Sequence, residues 1–204
     1  HLWYRRQRQM CIRDRDSLME MARIGPGIAG GNNRQTVTFE DGEARKLLQK
    51  WASESGMSMK VDELGSMFLK REGTENDALP VVIGSHLDTQ PTGGKYDGVL
   101  GVLAGLEVVR TLNDLNIETK KPILVVNWTN EEGSRFPPAM MASAGYAGIY
   151  DTKTLLAATD HEGNILVKNL IELDGKELNQ LVKKSFIVIM NFILNKVQYL
   201  KMKM

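Results

Sequence analysis

Long apolar runs, paired cysteines and a basic folded region are all missing from this 204-residue sequence. A single cysteine, Cys11, excludes an internal disulfide and favours a reducing, cytoplasmic compartment. No stretch reaches the roughly 18 apolar residues of a transmembrane helix, so we expect no membrane partner. Residues 1–16 carry a net charge of +3 and residues 176–204 carry +5, which leaves −7 for the middle. Because nucleic-acid surfaces need basic residues on the folded part, we expect no nucleic-acid partner.

The two ends of the chain differ from its middle. Residues 1–16 are rich in arginine and show no helical or strand periodicity, which predicts a non-native or disordered leader. Residues 176–204 contain an apolar run at 186–194, which is typical of a buried strand or short core helix, with a surface anchor as the alternative. We therefore expect residues 17–175 to be the folded domain and residues 176–204 to be an uncertain tail, truncated or misread.

The first half of the middle region shows clear local patterns. Gly25 to Gly30 match G-x-G-x-x-G, but the pattern contains proline and continues into polar residues, which predicts a loop and not a nucleotide site. Apolar residues at steps of three and four predict a helix over 41–55, with Gly56 as its C-terminal cap. Alternation on both sides of a polar turn predicts a β-hairpin over 57–69.

Two apolar runs, 79–84 and 123–128, are typical of strands buried on both faces. Between them, residues 98–113 carry a one-sided apolar stripe that predicts a helix. A strand–helix–strand unit of this kind directs the carboxyl ends of two parallel strands to the same edge of a sheet, where open α/β sheets bind ligands. His86 and Glu131 each follow one of these runs, so we expect them to lie in one cleft.

Five side chains near these strand ends have the chemistry of a hydrolytic metal site. Imidazole and carboxylate groups such as His86, Asp97 and Glu132 are ligands for divalent ions of the zinc type. Asp88 follows His86 by two residues and could hold its tautomer, and a neighbouring pair such as Glu131 and Glu132 can divide between proton transfer and metal binding. Each feature alone is typical of solvated loops, so the prediction depends on their common location.

At these residues the sequence resembles a known family. GSHLDTQPTGGKYDGVLGVLAGLEVVRTLN and VVNWTNEEGSRFPPAMMASAGYAG, together with MARIG at 21–25 and VDELGSMFLKREG at 61–73, resemble N-carbamoyl-L-amino-acid hydrolases and allantoate amidohydrolases. These belong to the dinuclear-metal amidohydrolase and peptidase superfamily that includes aminoacylase and carboxypeptidase G. The resemblance implies an α/β chain corresponding to the N-terminal half of a zinc-aminopeptidase-like three-layer catalytic domain. A mostly parallel sheet would be flanked by helices, and the lid or dimerisation domain of the homodimeric family would be absent.

The resemblance also implies roles for individual residues. His86 and Glu132 would each bind one of two divalent ions (Zn, Mn, Co or Ni), Asp97 would bridge them, Glu131 would be the general base and Asp88 would support His86. The substrates would be small carbamoyl or ureido acids, but no substrate-binding residue is assigned. Alternatives are an aminoacylase or dipeptidase activity and a non-catalytic interaction fragment.

The sequence also departs from this family. A His-x-Glu-Gln-Gly segment, a C-terminal histidine and a substrate-binding arginine of the inserted domain have no counterpart here. His161-Glu162-Gly163 resembles the first of these only faintly, and a solvated loop is the ordinary interpretation. With three ligands for two ions, we predict weak metal binding and little or no turnover.

Overall fold

A computed structural model describes residues 2–75 and 77–173 of the chain. The helices in this part are α1 (Leu2–Met21), α2 (Phe39–Glu54), α3 (Val99–Asp114), α4 (Met141–Tyr146), α5 (Thr152–Leu156) and α6 (Leu166–Leu173). The strands are β1 (Ser58–Val61), β2 (Met67–Arg71), β3 (Val81–His86) and β4 (Ile123–Trp128). None of the described helices is long and apolar enough to cross a membrane. The predicted apolar element at 186–194 lies outside the described residues.

The four strands form one sheet in the order β1-β2-β4-β3. The predicted hairpin is confirmed, since β1 and β2 pair antiparallel with Met59 opposite Leu69. β2 also pairs antiparallel with β4, whereas β3 and β4 run parallel and end together at His86 and Trp128. The α/β prediction is confirmed, but the described sheet is mixed and not mostly parallel, because the hairpin contributes two antiparallel pairings.

Local signals explain where α2 begins and ends. The side chain of Thr38 caps the helix by accepting a hydrogen bond from the Asp41 N–H, and Glu40 and Asp41 lie in the first turn, where carboxylates stabilise the helix dipole. Gly56 follows the last turn at a φ of +73°, a left-handed conformation that glycine adopts without steric cost. The predicted helix and its glycine cap are therefore confirmed, with the start two residues earlier.

The crossover helix α3 packs directly on the parallel pair of strands. Its Gly105 has no side chain, and an added Cβ would lie 3.1 Å from both Ile83 and Val125, so the glycine allows close approach of helix and sheet. Apolar residues of α1, α2 and α3 form the main core with one face of the sheet. A second core lies around Phe136 and joins α4, α5 and α6.

The prediction that the first apolar run is buried on both faces is wrong for the described residues. Leu79, Val81 and Val82 are 82%, 50% and 56% exposed. The reason is that β3 lies at an edge of the described sheet and pairs there with β4 alone. Sequence periodicity reports the apolar character of a strand but not the number of its neighbours.

The predicted leader also differs from the structure. Residues 2–21 form one helix, although no periodicity is visible at its start. Its later part packs on the fold, since Leu18 and Met21 are buried in the main core and Arg13 donates two 3.0 Å hydrogen bonds to Glu107 of α3. Tertiary contacts thus favour a helix here. The division of the chain into leader, domain and tail stays a prediction.

Candidate metal centre

The candidate site lies at the carboxyl ends of β3 and β4. His86 is the last residue of β3, so the strand continues two residues past the predicted end. Each of three side chains, His86, Asp97 and Glu132, offers one ligand atom. These three atoms lie within 4.8 Å of one another. In residues 2–75 and 77–173 this is the one group of three or more metal-ligating side chains at such distances. The strand–helix–strand unit therefore brings together the three residues that the sequence suggested.

The tautomer of His86 follows from its hydrogen bond. Its Nδ1 lies 2.8 Å from the backbone carbonyl oxygen of Asp88, and a carbonyl can only accept, so Nδ1 carries the proton. In the neutral ring Nε2 then carries the lone pair, and this is the form that binds metals. The ring is buried, with 7% of its side-chain surface exposed.

Gly98 is required by the position of the imidazole. Its φ is +67°, and a Cβ added there would lie 2.5 Å from Nδ1 and 2.6 Å from Nε2 of His86. Any other residue would collide with the ring and strain the backbone. The glycine next to Asp97 therefore allows the backbone to pass over His86.

Asp88 supports the site differently from the prediction. Its backbone carbonyl holds the His86 ring, while its carboxylate Oδ1 lies 3.7 Å from Nδ1, too far for a hydrogen bond. The carboxylate instead accepts hydrogen bonds from the backbone N–H groups of Glu131 (3.3 Å) and Glu132 (3.2 Å). Burial, with the nearby carboxylate of Asp41, raises the pKa of Asp88 to about 6, against the opposing effects of His86 and the two N–H groups.

Two contacts at the site leave room for a cation. Oε1 of Glu132 is buried without a hydrogen-bond partner, although a buried carboxylate oxygen is costly unless paired. Nε2 of His86 lies 3.3 Å from Oε2 of Glu131, so either a proton or a metal ion can lie between these two atoms. A cation between these groups would satisfy both, and imidazole with carboxylates is a donor set for divalent ions of the zinc type. The residues fit a metal ion.

Sequence reasoning missed the segment 32–34, which holds the loop after β3 and in which Asn32 and Arg34 are buried. Asn32 and Gly93 exchange backbone hydrogen bonds of 2.9 and 3.0 Å. Arg34 is fully buried, and its Nε donates to the carbonyl of Leu87, between His86 and Asp88, at 2.8 Å. Burial lowers the pKa of Arg34, and the carboxylates of Asp41 and Asp88 oppose this effect. Nothing in the sequence distinguishes this arginine from a solvated one.

Two other motif residues lie outside the cluster. Arg135 donates to Asp160 (3.1 Å), to the carbonyl of Val37 (2.9 Å) and to Asn169 (2.9 Å), so it joins three segments of the fold. His161 is exposed in the turn 160–164 and is not in the ligand group, in agreement with the solvated-loop interpretation.

Known proteins match the chain over the region that contains this site. The model of peptidase family M20/M25/M40 matches residues 82–177. An N-carbamoyl-L-amino-acid amidohydrolase of Rhizobium meliloti is 68% identical over 148 residues, which are 72% of this chain and 36% of the relative. An allantoate amidohydrolase of Bacillus subtilis is 32% identical over 148 residues, with the same coverage. A crystal structure of a hydantoinase/carbamoylase family amidase from Burkholderia ambifaria matches with a TM-score of 0.79 and 50% identity, over 80% of this chain and 40% of that chain.

These similarities and the fold identify a member of peptidase family M20/M25/M40, whose proteins depend on metal ions. Within that family, the chain belongs to the branch of N-carbamoyl-L-amino-acid and allantoate amidohydrolases, as its motifs predicted. The chain spans 36% of the length of each of the two relatives.

Proposed function

We propose that the chain carries part of the active site of a metal-dependent amidohydrolase that cleaves the C–N bond of N-carbamoyl amino acids. Allantoate and related ureido acids form the wider substrate class. The observation that supports this best is the cluster of His86, Asp97 and Glu132, in which Oε1 of Glu132 has no partner. The identity of 68% to an N-carbamoyl-L-amino-acid amidohydrolase, against 32% to an allantoate amidohydrolase, favours the carbamoyl substrates.

Three side chains would hold a pair of divalent ions such as Zn, Mn, Co or Ni. His86 would use Nε2, because Nδ1 is engaged with the carbonyl of Asp88. Asp97 has two oxygens and would be shared between the ions, and Glu132 would bind the second ion. When bound, such ions polarise the substrate carbonyl and lower the pKa of water.

Glu131 is suited to proton transfer. Its side chain is 32% exposed and lies beside His86, so substrate and water can reach it. It would take a proton from the attacking water and give it to the nitrogen that leaves the carbonyl carbon. The carboxylate of Asp88 would fix Glu131 through its backbone N–H. Overall, one N-carbamoyl amino acid and one water yield the amino acid, ammonia and carbon dioxide.

The number of ligands limits the expected affinity. A zinc ion usually takes four ligands, and three shared side chains leave each of two ions short of protein donors. Of the three histidines in the sequence, His86 belongs to the described cluster and His161 does not. We therefore expect this chain to bind zinc or manganese weakly and to show little or no turnover.

Calorimetric titration with zinc and with manganese tests the proposal. The unsubstituted chain is expected to bind at most two ions. Glu132→Gln keeps the shape of the side chain and removes its charge, and this variant is expected to lose metal binding. Equal binding by both proteins would contradict the proposed site.

Ammonia release from N-carbamoyl amino acids, with N-acetyl amino acids in parallel, tests the reaction class. Turnover on the acetyl substrates alone would favour an aminoacylase. Turnover of N-carbamoyl amino acids at a rate typical of a complete amidohydrolase would contradict the expected weak activity.

A further inference from the structure

The two carboxylate oxygens of Glu132 have different surroundings. Oε2 accepts a hydrogen bond of 2.9 Å from the side-chain amide Nε2 of Gln90. Oε1 is buried and has no partner. The backbone of Glu132 is held separately, because its N–H donates to Asp88. The bond from Gln90 therefore acts on the orientation of the carboxylate and not on the course of the main chain.

Gln90 connects the two loops that carry the cluster. It lies four residues after His86, in the loop that follows β3, and its partner Glu132 lies in the loop that follows β4. Its own backbone is fixed on both sides. The Thr89 N–H donates to the carbonyl of Arg34 at 2.9 Å, and the Gly93 N–H donates to the carbonyl of Gln90 at 3.1 Å. A rigid main chain thus presents the amide to Glu132.

We propose that Gln90 is a positioning residue for metal binding, which occupies Oε2 of Glu132 and so presents Oε1 to the ion. This inference rests on the proposed function, because it assumes that Glu132 is a ligand. A hydrogen bond to one carboxylate oxygen restricts rotation and favours metal binding through the other oxygen, whereas a carboxylate without this bond can turn and share both. Gln90 would thereby set both the coordination mode of Glu132 and the affinity of the site for the metal ion.

The chemistry of glutamine suits this role. Its amide NH₂ donates to a carboxylate without adding a charge, whereas the ammonium of a lysine would compete with the cation for the same oxygen. Hydrogen bonds that involve a charged partner are stronger than neutral ones. Gln90 is exposed, so its replacement leaves no cavity in the core. Metal affinity can therefore change without a loss of the fold.

Titration with cobalt(II) alone, followed by visible absorption and calorimetry, tests the role of Gln90. Gln90→Ala removes the side chain, and Gln90→Met keeps its length and removes the donor. Gln49→Ala is the matched control, because Gln49 is an exposed glutamine on α2, a helix that carries none of the proposed ligands. We expect both Gln90 variants to bind cobalt about tenfold more weakly, the lower end of the range for one lost hydrogen bond to a charged group. Their absorption bands are expected to shift as Glu132 changes its coordination, with an unchanged unfolding temperature.

Two outcomes would overturn the inference. One is cobalt affinity within twofold of the parent in both variants. The other is weaker binding with an unchanged spectrum and a lowered unfolding temperature, since that pattern indicates a structural role alone. Failure of the proposed function has a different signature. In that case Glu132→Gln binds cobalt as well as the parent does, whatever the Gln90 variants show.

Discussion

Two regions of the molecule combine a histidine, an aspartate and a glycine, but only one of them builds a ligand cluster. At the end of β3, the ring of His86 is buried beneath Gly98, with its Nδ1 bonded to the carbonyl of Asp88 and its Nε2 3.3 Å from the carboxylate of Glu131. In the turn 160–164, His161 is exposed. The difference teaches that residue type matters less than location. The carboxyl end of β3 holds the ring of His86 in place, whereas the surface turn leaves the ring of His161 exposed to water.

The aspartates of the two regions differ in the same way. Burial and Asp41 raise the pKa of Asp88 to about 6. Burial alone would also raise the pKa of Asp160, but hydrogen bonds from Asn164, Arg135 and the Glu162 N–H bring it below its ordinary value. Asp88 accepts from two backbone N–H groups that carry the site, whereas Asp160 closes its own turn. One carboxylate holds the loop of the proposed site, and the other holds a surface turn and its contact with Arg135.

The largest expected effect separates the two histidines. His86→Asn removes a proposed ligand, and we expect it to weaken zinc binding by about 100-fold or more, beyond the loss typical of residues that only support a ligand. His161→Asn is the matched control and is expected to leave the affinity unchanged. Calorimetric titration of both variants measures this. A similar loss of zinc affinity in the two variants would contradict the distinction between His86 and His161.

The next effect separates the two glycines. Gly163 has a φ of +83° with nothing within 4 Å of an added Cβ, so Gly163→Ala is expected to cost about 1 kcal/mol of unfolding free energy. Gly98→Ala adds a collision with His86, which we expect to cost about 1–3 kcal/mol more. Urea unfolding of the two variants gives the difference. Equal destabilisation would show that the ring can move aside.

The smallest effect concerns Asp160. Because its folded-state pKa is lowered, its ionised form stabilises the fold above its ordinary pKa of 3.8, and this contribution is lost as the pH falls through the folded-state pKa. Asp160→Asn is expected to cost about 1 kcal/mol or less at neutral pH, the scale of one ion pair. Unfolding free energies measured from pH 7 down to pH 2 should converge for the two proteins. A difference that grows at low pH would contradict the lowered pKa.

Much of the fold could be predicted from the sequence because its signals are local. The hairpin, α2 with its glycine cap, and α3 between β3 and β4 each follow from periodicity and turn residues. The common location of His86 and Glu131 followed from the direction of parallel strands, and the two side chains lie 3.3 Å apart. The exposure of Val81 and Val82 could not be predicted, because it depends on which strands pair with β3.

The supporting contacts of the site were harder to predict than the grouping of its candidate ligands. The carboxylate of Asp88 was assigned to His86, but it holds the backbone of Glu131 and Glu132, because the carbonyl of Asp88 is closer to the ring. Arg34 was missed because arginine is rarely buried, and only the fold shows that its guanidinium reaches the carbonyl of Leu87. Contacts between distant segments leave no periodic pattern.

The segment at residues 32–34 has a practical consequence for anyone who shortens this protein. It precedes His86, the first proposed metal ligand, by more than 50 residues, yet it forms the other half of the pairing that shapes the loop from Leu87 to Gly98. An expression clone that starts at Phe39, the first residue of α2, would encode every proposed ligand. The loop from Leu87 to Gly98 would nevertheless lack the segment 32–34 that holds it. A failed metal-binding or activity assay on such a clone would therefore result from the missing segment and would not test the proposed chemistry.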